Sequence, residues 1–528
     1  MIMKFFNTAG PVNQSKHYKL DPLMRWNLED ILLLIEQEKY FILHAPRQTG
    51  KTSCLLALRD YLNERDDYHC VYANFEAAQV ARNNISSGIR IILTELHERL
   101  LASTEQLPDF DDVQIFTRSD PGKALNSYLK AVCQWLDKPL ILLIDEIDAL
   151  VGDTLISVLR QLRSGYDVRP ETFPQSVILC GVRDIKDYRI QRSDDDIITG
   201  GSCFNIKAKS LTLGNFSEAE ARQLYDEHTQ YSGQQFTDEC FPLLMRYTGG
   251  QPWLVNALGY EVTFEMKENR DRSIVITPEL LEIAKERLIL SRATHLDQLA
   301  DKLKEDRVRR VLEPLFLGQR SDALDDDIDY CMDLGLIKRT DRGIVIANDI
   351  YREILPRELI KKEQDDFLSL FTPDWVNDDE SINTEILFTM FQQFWRENSE
   401  IWHDAMAGYQ EAAPHLTFQA FLQRVANGKG YIAREFAYGT RRPDLMLKWR
   451  YPAGEQRIVI ELKMLTERDS YEKVKQTALE QTAIYADKCD ATESHIIIFD
   501  RCGKTDWKDK VFTDTDEVNG YQIKIWGM

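Results

Sequence analysis

The ten residues HAPRQTGKTS, His44 to Ser53, come within one position of the phosphate-binding pattern G-x-x-x-x-G-K-[ST], with Ala45 standing where the first glycine is expected. Upstream, KYFILHA (Lys39 to Ala45) is a short apolar run ending in small residues, which reads as a buried strand. Downstream, KTSCLLALRDYLNER sets Leu55, Leu58 and Leu62 on one stripe, which reads as a helix. Strand, tight loop and helix are the context that makes such a match meaningful. The residue types follow from the chemistry. Gly50 lets the backbone turn so that consecutive N–H groups converge at a helix N-terminus. Lys51 brings a point charge to the terminal phosphates, and the Thr52 hydroxyl can ligate Mg²⁺. The first position only opens the loop, so alanine there is tolerable. Pro46, Gln48, Thr49, Gly50, Lys51, Thr52 and Ser53 are therefore the expected nucleotide contacts, with ATP and Mg²⁺ as the expected ligands.

A second element strengthens the reading. PLILLIDEIDAL, Pro139 to Leu150, is apolar without alternation, as expected of a central parallel strand covered on both faces, and it ends in two adjacent acids. Adjacent strand residues point opposite ways. Asp145 is thus assigned to the Mg²⁺ shell and Glu146 to the attacking water. A third strand, SVILCGVRD, Ser176 to Asp184, delivers Arg183, a cation that could sense a γ-phosphate. Then LTLGNFSEAEARQLYDEH carries a capping box, Ser217 with Glu220, and opens a helical region containing TGGQPWLVNALG, Thr248 to Gly259.

At 528 residues the chain is too long for one hydrophobic core. A formal net charge of −21 excludes a uniformly basic nucleic-acid coat, so any phosphate-backbone contact must come from local patches. The nine cysteines include no C-x-x-C pair, which argues against zinc and disulfide frameworks and for a reducing cytoplasm. No apolar stretch approaches the ~18–20 residues of a membrane helix, so no membrane partner is expected.

Together, APRQTGKT, LLIDEID, ILCGVR and TGGQPW resemble the AAA-like ATPases related to the STAND class and the archaeal-type ATPases, over about residues 1 to 360. The resemblance implies that Arg183 approaches the γ-phosphate and that the Gly250-Gln251-Pro252 turn, with Gln251 and Pro252 as contacts, lies near adenine. It also implies that FNTAGPVNQSKHYKLDP, Phe6 to Pro22, lies by the nucleotide. The fold class expected is α/β, with a P-loop ATPase parallel sheet over residues 1–210, a helical lid over 211–300 and a winged-helix-like module over 301–360. In that module LGLIKRTDRGIVIA, Leu334 to Ala347, reads as two short strands about a Gly-containing turn. The basic run at Arg307 to Arg310 invites a DNA-contact reading, whereas the acidic run Asp322 to Tyr330 favours a module that packs on the ATPase and relays its state. Residues 361–382 are polar enough to be a linker.

Residues 383–528 read as helices, several strands, a helix and another strand. In RIVIELKML, Arg457 to Leu465, period two places Val459, Glu461 and Lys463 on one face of an otherwise apolar strand. Burying an acid and a lysine there is costly unless they pair or bind metal. The preceding hairpin strand carries Asp444, which can bring a second carboxylate beside Glu461. Two carboxylates and a lysine make a divalent-metal site for Mg²⁺ or Mn²⁺, with Lys463 holding the metal-bound water or stabilising charge on a phosphate. The arrangement resembles the PD-(D/E)XK nuclease superfamily, with Asp444, Glu461 and Lys463 as its acid and E-x-K elements and Gln481 and Tyr485 as its Q-x-x-x-Y helix motif. Glu435 and Glu411 are lesser candidates for a further acid. The whole reads as a homo-oligomeric ATPase whose nucleotide state controls a nuclease acting on nucleic acid, DNA ahead of RNA. By resemblance the setting is bacterial DNA processing or defence. The competing reading is an ATP-gated scaffold whose C-terminal domain binds without cutting.

Overall fold

The computed structural model describes residues 4–103, 120–183, 189–193, 196–199, 206–290, 302–303, 305–316, 323–341, 343–359, 375–405, 430–433, 445–465, 469–500 and 506–528, with isolated positions between 414 and 422. The chain divides into two compact units, Met1–His295 with Ile328–Tyr351, and Leu296–Asp327 with Arg352–Met528.

The first unit is built on a five-stranded sheet of β1 (Tyr40–His44), β2 (His69–Asn74), β3 (Leu140–Asp145), β4 (Ser176–Gly181) and β7 (Lys207–Thr212) in the order β2-β3-β4-β1-β7. Every pairing in it is parallel. Between β4 and β7 lies a separate hairpin, β5 (Arg189–Ser193) with β6 (Asp196–Thr199). Both faces of the sheet are covered, which is why its strands are apolar without alternation. Tyr40 and Ile42 of β1 join one buried cluster, while Phe41 and Leu43 join the other. The helices that cover it are α1 (Leu28–Glu36), α2 (Lys51–Glu64), α3 (Ile85–Ser103), α4 (Pro121–Trp135) and α5 (Gly152–Ser164). Leu55, Leu58 and Leu62, the stripe on α2, are fully buried.

A helical region follows: α6 (Glu218–Ser232), α7 (Cys240–Thr248), α8 (Pro252–Tyr260) and α9 (Pro278–Leu290). Ser217 caps α6 with the reciprocal pair expected, its hydroxyl accepting from Glu220 N while the Glu220 carboxylate accepts from Ser217 N at 2.7 Å. Phe6, near the chain start, is keyed into this region against the rings of Tyr18, Tyr225 and His228. After α10 (Asp306–Phe316) and α11 (Asp325–Asp333) comes a two-stranded hairpin, β8 (Ile337–Thr340) with β9 (Gly343–Ile346), and then α12 (Asp349–Leu359).

The second unit carries a six-stranded mixed sheet, ordered β10-β11-β12-β13-β15-β14, of β10 (Gly430–Ala433), β11 (Leu445–Tyr451), β12 (Gly454–Leu465), β13 (Glu493–Asp500), β14 (Thr513–Val518) and β15 (Tyr521–Gly527). β10, β11 and β12 form an antiparallel meander, and β12, β13 and β15 run parallel. Two helices sandwich the sheet. Phe388 of α13 (Thr384–Ala405) packs on His495 and Trp526, and Trp395 on Phe499. On the opposite face Ala478, Leu479 and Ala483 of α14 (Tyr471–Cys489) join Leu465, Ile496 and Ile498. Alternation along β13 separates the two layers. Within the segment read as a linker, Ile382 is buried and its N–H donates to Gln456 Oε1 at 2.7 Å.

Among the described residues no helix is long and apolar enough to cross a membrane, and Cys54, Cys70, Cys133, Cys180, Cys240, Cys331 and Cys489 form no disulfide.

Candidate functional site

The loop after β1 turns on Gly50, whose φ of 93° is open to glycine at little strain and which caps α2 without a side-chain hydrogen bond. The first-turn N–H groups of α2 therefore face the loop, the donor set an anion requires. Lys51 is buried, and its Nζ donates to the carbonyls of Ala45 (2.9 Å) and Pro46 (3.0 Å). Thr49 Oγ1 donates to Pro46 O at 2.8 Å, which tightens the loop. An ammonium held by loop carbonyls alone can exchange them for phosphate oxygens, so these residues fit a nucleoside triphosphate.

The parallel order places β4 between the strand before the loop and β3, and this brings Thr52 and Asp145 together across 93 residues of sequence. Thr52 Oγ1 donates to Asp145 Oδ2 at 2.7 Å. Tyr72 OH, from β2, donates to the same oxygen at 3.0 Å, and Glu146 N donates to Oδ1 at 3.0 Å. Glu146 itself has left the strand. Its φ of 54° starts a turn, so chain reversal separates the two acids, in addition to strand alternation. Burial raises the Glu146 carboxyl above its ordinary value, and the Asp148 and Asp145 carboxylates add to the effect.

Gln251 and Pro252 open α8: Gln251 Oε1 accepts from Leu254 N at 2.6 Å, and Gln251 Nε2 lies 3.4 Å from Arg47 O of the loop. Gly250, at φ 71°, is required on space as well, since a Cβ there would meet Phe216 O at 2.0 Å. Arg183 Nε lies 3.5 Å from Asp333 Oδ2.

Sequence reasoning missed two side chains. Tyr72 sits in an ordinary apolar strand, and only the β2–β3 register brings it to Asp145. Arg25 donates to Thr49 O of the loop and, at 2.7 Å, to Gly214 O, with its guanidinium 4.7 Å from the Phe216 ring centroid. Nothing in DPLMRWN marks it. The N-terminal segment expected near the nucleotide does reach the loop helix: Val12 N donates to Ser53 Oγ at 3.0 Å. Its other end is held by α8, with Asn7 N donating to Asn256 Oδ1 and Trp253 Nε1 to Thr8 O.

In the second unit Lys463 Nζ donates to Glu461 Oε1 at 2.6 Å, with Glu461 only 2% exposed. Val459, on the same face, packs with Met446 and Tyr485 of α14, so Glu461 and Lys463 face that helix. Gln481 lies one turn before Tyr485, and its Oε1 is buried with no hydrogen-bond partner among the described residues. Asp444, Glu435 and Glu411 lie outside the described residues. Leu445, the residue after Asp444, pairs with Ile460, the residue before Glu461. Among the described residues no group of three or more acids, histidines or cysteines is arranged to hold a metal. The arginines of the basic run are paired: Arg307 and Arg310 with Asp327, and Arg309 with Asp306.

Among curated proteins none matches the chain. Solved structures similar to it include the Walker-type ATPase PABY2304 of Pyrococcus abyssi, at 14% identity over 66% of this chain and 99% of that one, with a TM-score of 0.45. Cdc6p of Pyrobaculum aerophilum is 16% identical over 65% of this chain and 93% of its own, with a TM-score of 0.36. The RuvB Holliday junction branch migration motor of Thermotoga maritima is 13% identical over 62% and 93%, with a TM-score of 0.33. The family model described as an AAA-like domain matches residues 29–357, more than half of the sequence, and takes in the loop, the acidic strand end and the helical region. The chain belongs to this AAA-like family.

Proposed function

We propose that this ATPase controls a metal-dependent phosphodiesterase in its own C-terminal domain, with nucleic acid as substrate and DNA ahead of RNA. The observation that carries the reading is the Glu461–Lys463 pair on a buried strand face, opposite a helix that presents the unpartnered Gln481 oxygen. An acid and an ammonium on an apolar strand are unfavourable for packing alone unless they pair or bind a metal ion. Asp444 and Glu461 would hold the divalent ion, which when bound supplies a hydroxide-like water at neutral pH. Lys463 then gives up part of its hold on Glu461 to the charge growing on the phosphate, and Gln481 orients the water or the lysine.

In the ATPase unit, Lys51 turns from the Ala45 and Pro46 carbonyls to the phosphates, while Thr52 and Asp145 are the oxygen donors for Mg²⁺. Glu146 orients the attacking water, and Arg183 meets the γ-phosphate. A defence or DNA-processing setting and a homo-oligomeric assembly belong to the same proposal.

The test is cleavage of labelled DNA and RNA by the full chain with Mg²⁺ or Mn²⁺, with and without ATP, beside Asp444→Ala and Lys51→Ala. Cleavage lost in the first variant and altered in the second supports the proposal. A second reading, the ATP-gated scaffold, draws on the 2.6 Å Glu461–Lys463 contact, which can stand as a structural ion pair. No cleavage by the wild type under any of these conditions would select it.

A further inference from the structure

Arg183 leaves β4 where a γ-phosphate contact is expected, yet its guanidinium is engaged by α11. Its Nε lies 3.5 Å from Asp333 Oδ2, both side chains being at most 20% exposed, and its guanidinium carbon is 4.8 Å from the Tyr330 ring centroid. Tyr330 is buried. The helix closes immediately afterwards, with Gly335 N donating to Met332 O and Leu336 N to Cys331 O. The chain there lies against the phosphate loop: a Cβ on Gly335 would come within 3.0 Å of the Pro46 ring. One short turn, Asp333 to Gly335, thus meets the loop at Pro46 and the end of β4 at Arg183. The strand that returns from the hairpin is fixed too, with Ala347 O close to Gly249 and Arg246 Nε 3.2 Å from Asp349 Oδ2. All of these residues belong to the first unit.

A carboxylate in ion-pair contact with a half-buried guanidinium offers what a γ-phosphate offers, negative charge and oxygen acceptors. ADP makes no claim on Arg183. ATP does, and its γ-phosphate must draw the guanidinium away from Asp333 and off the Tyr330 ring. We infer that Asp333 is a specificity-determining residue of the nucleotide site, an internal competitor for Arg183 that lowers affinity for ATP relative to ADP and is released when ATP wins. The inference rests on the proposed role of Arg183 at the γ-phosphate. Linkage makes the relation reciprocal: whatever factor the docked turn takes from ATP affinity, ATP takes from docking of the turn. A ligand shifts such an equilibrium only through its differential affinity, and Arg183 is where that difference lies.

A pair that merely braced the fold would affect both nucleotides alike, so the informative quantity is their ratio. The experiment is equilibrium titration of the full chain with a non-hydrolysable ATP analogue and, separately, with ADP, for wild type, Asp333→Asn, Arg183→Ala and the double variant. Asp333→Asn is expected to tighten the ATP analogue by about fivefold or more while ADP changes by less than twofold. In the Arg183→Ala background the same substitution should change neither. A shift common to both nucleotides, no shift, or a shift that persists without Arg183 overturns the inference. Should Asp333→Asn fold poorly, Tyr330→Leu removes the ring and keeps the carboxylate; it should move the ratio in the same direction by less, and an unmoved ratio counts against the inference. If Arg183→Ala leaves ATP and ADP affinity both unchanged, the γ-phosphate role of Arg183 fails and the inference falls with it. If Arg183→Ala weakens the ATP analogue alone while Asp333→Asn is silent, only the competitor is lost.

Discussion

Asp145 and Glu461 are both carboxylates buried in sheets, at 0% and 2% exposure, and they are accommodated in opposite ways. Asp145 takes donors from three separate elements: the hydroxyl of Thr52 on α2, the phenol of Tyr72 on β2 and the N–H of Glu146 in the following turn. Glu461 takes an ammonium from two residues along its own strand. The first arrangement exists only when the whole sheet is assembled, so its geometry is as firm as the fold. The Glu461–Lys463 contact is written locally, between neighbours on one strand face. A buried ion pair is weak evidence of a stabilising purpose, since removing one partner destabilises whether or not the pair was favourable to begin with.

The sharpest test of the difference is Glu461→Ala. Metal-dependent cleavage should fall to background while ATP turnover stays within about twofold, because Glu461 and the phosphate loop belong to separate compact units. Loss of ATP turnover as well would mean that the local site is not local. Next in size, Lys51→Ala should reduce ATP turnover by about 10²–10³-fold, the usual scale for deleting one charge-directed donor, as followed by phosphate release. Unchanged turnover would strip the loop of its assigned role.

Glu146→Gln should slow hydrolysis by roughly 10²-fold with ATP still bound, the low end for removing a positioned base. Its raised pKa adds two expectations. Because the base must be ionised, the acid limb of wild-type turnover should lie above the ordinary carboxylate value of 4.5. A folded-state pKa above the unfolded one means that charging this group costs folding free energy at high pH. Glu146→Gln should therefore raise Tm at neutral pH, with the gain vanishing below the unfolded carboxylate pKa. A Tm gain independent of pH would contradict this origin. The smallest effect should come from Tyr72→Phe: one of three donors to the Asp145 carboxylate, a charge-assisted hydrogen bond worth about 1.5 kcal/mol, or roughly tenfold in turnover through a less firmly held Asp145. If turnover is unchanged, Thr52 and the Glu146 N–H suffice to hold that carboxylate.

The same contrast explains what the sequence made legible. The loop, the strand ending in Asp145 and the capping box at Ser217 are short-range patterns whose chemistry is complete within a dozen residues. The burial of β1 on both faces followed from its unbroken apolar run. Glu461 and Lys463 were legible for the same reason, being neighbours on one strand face. Tyr72, Arg25 and Asp333 were not, because each acquires meaning from a partner 24 to 150 residues away that only strand order or helix docking supplies. Glu146 falls between: its separation from Asp145 was expected from alternation, but the left-handed turn that reinforces it has no signature in DEID.

The stretch from Asn7 to Val12 is fastened at both ends, to Asn256 on α8 and to Ser53 on α2. Five residue steps reach at most about 17 Å when fully drawn out. The segment is therefore a tether of fixed length between the helix that carries the phosphate loop and the helix that begins at Pro252. While both fastenings hold, the opening of the nucleotide cleft has a ceiling set by chain geometry rather than by packing, and a few glycines inserted at Gly10 would raise that ceiling without touching any ligand contact.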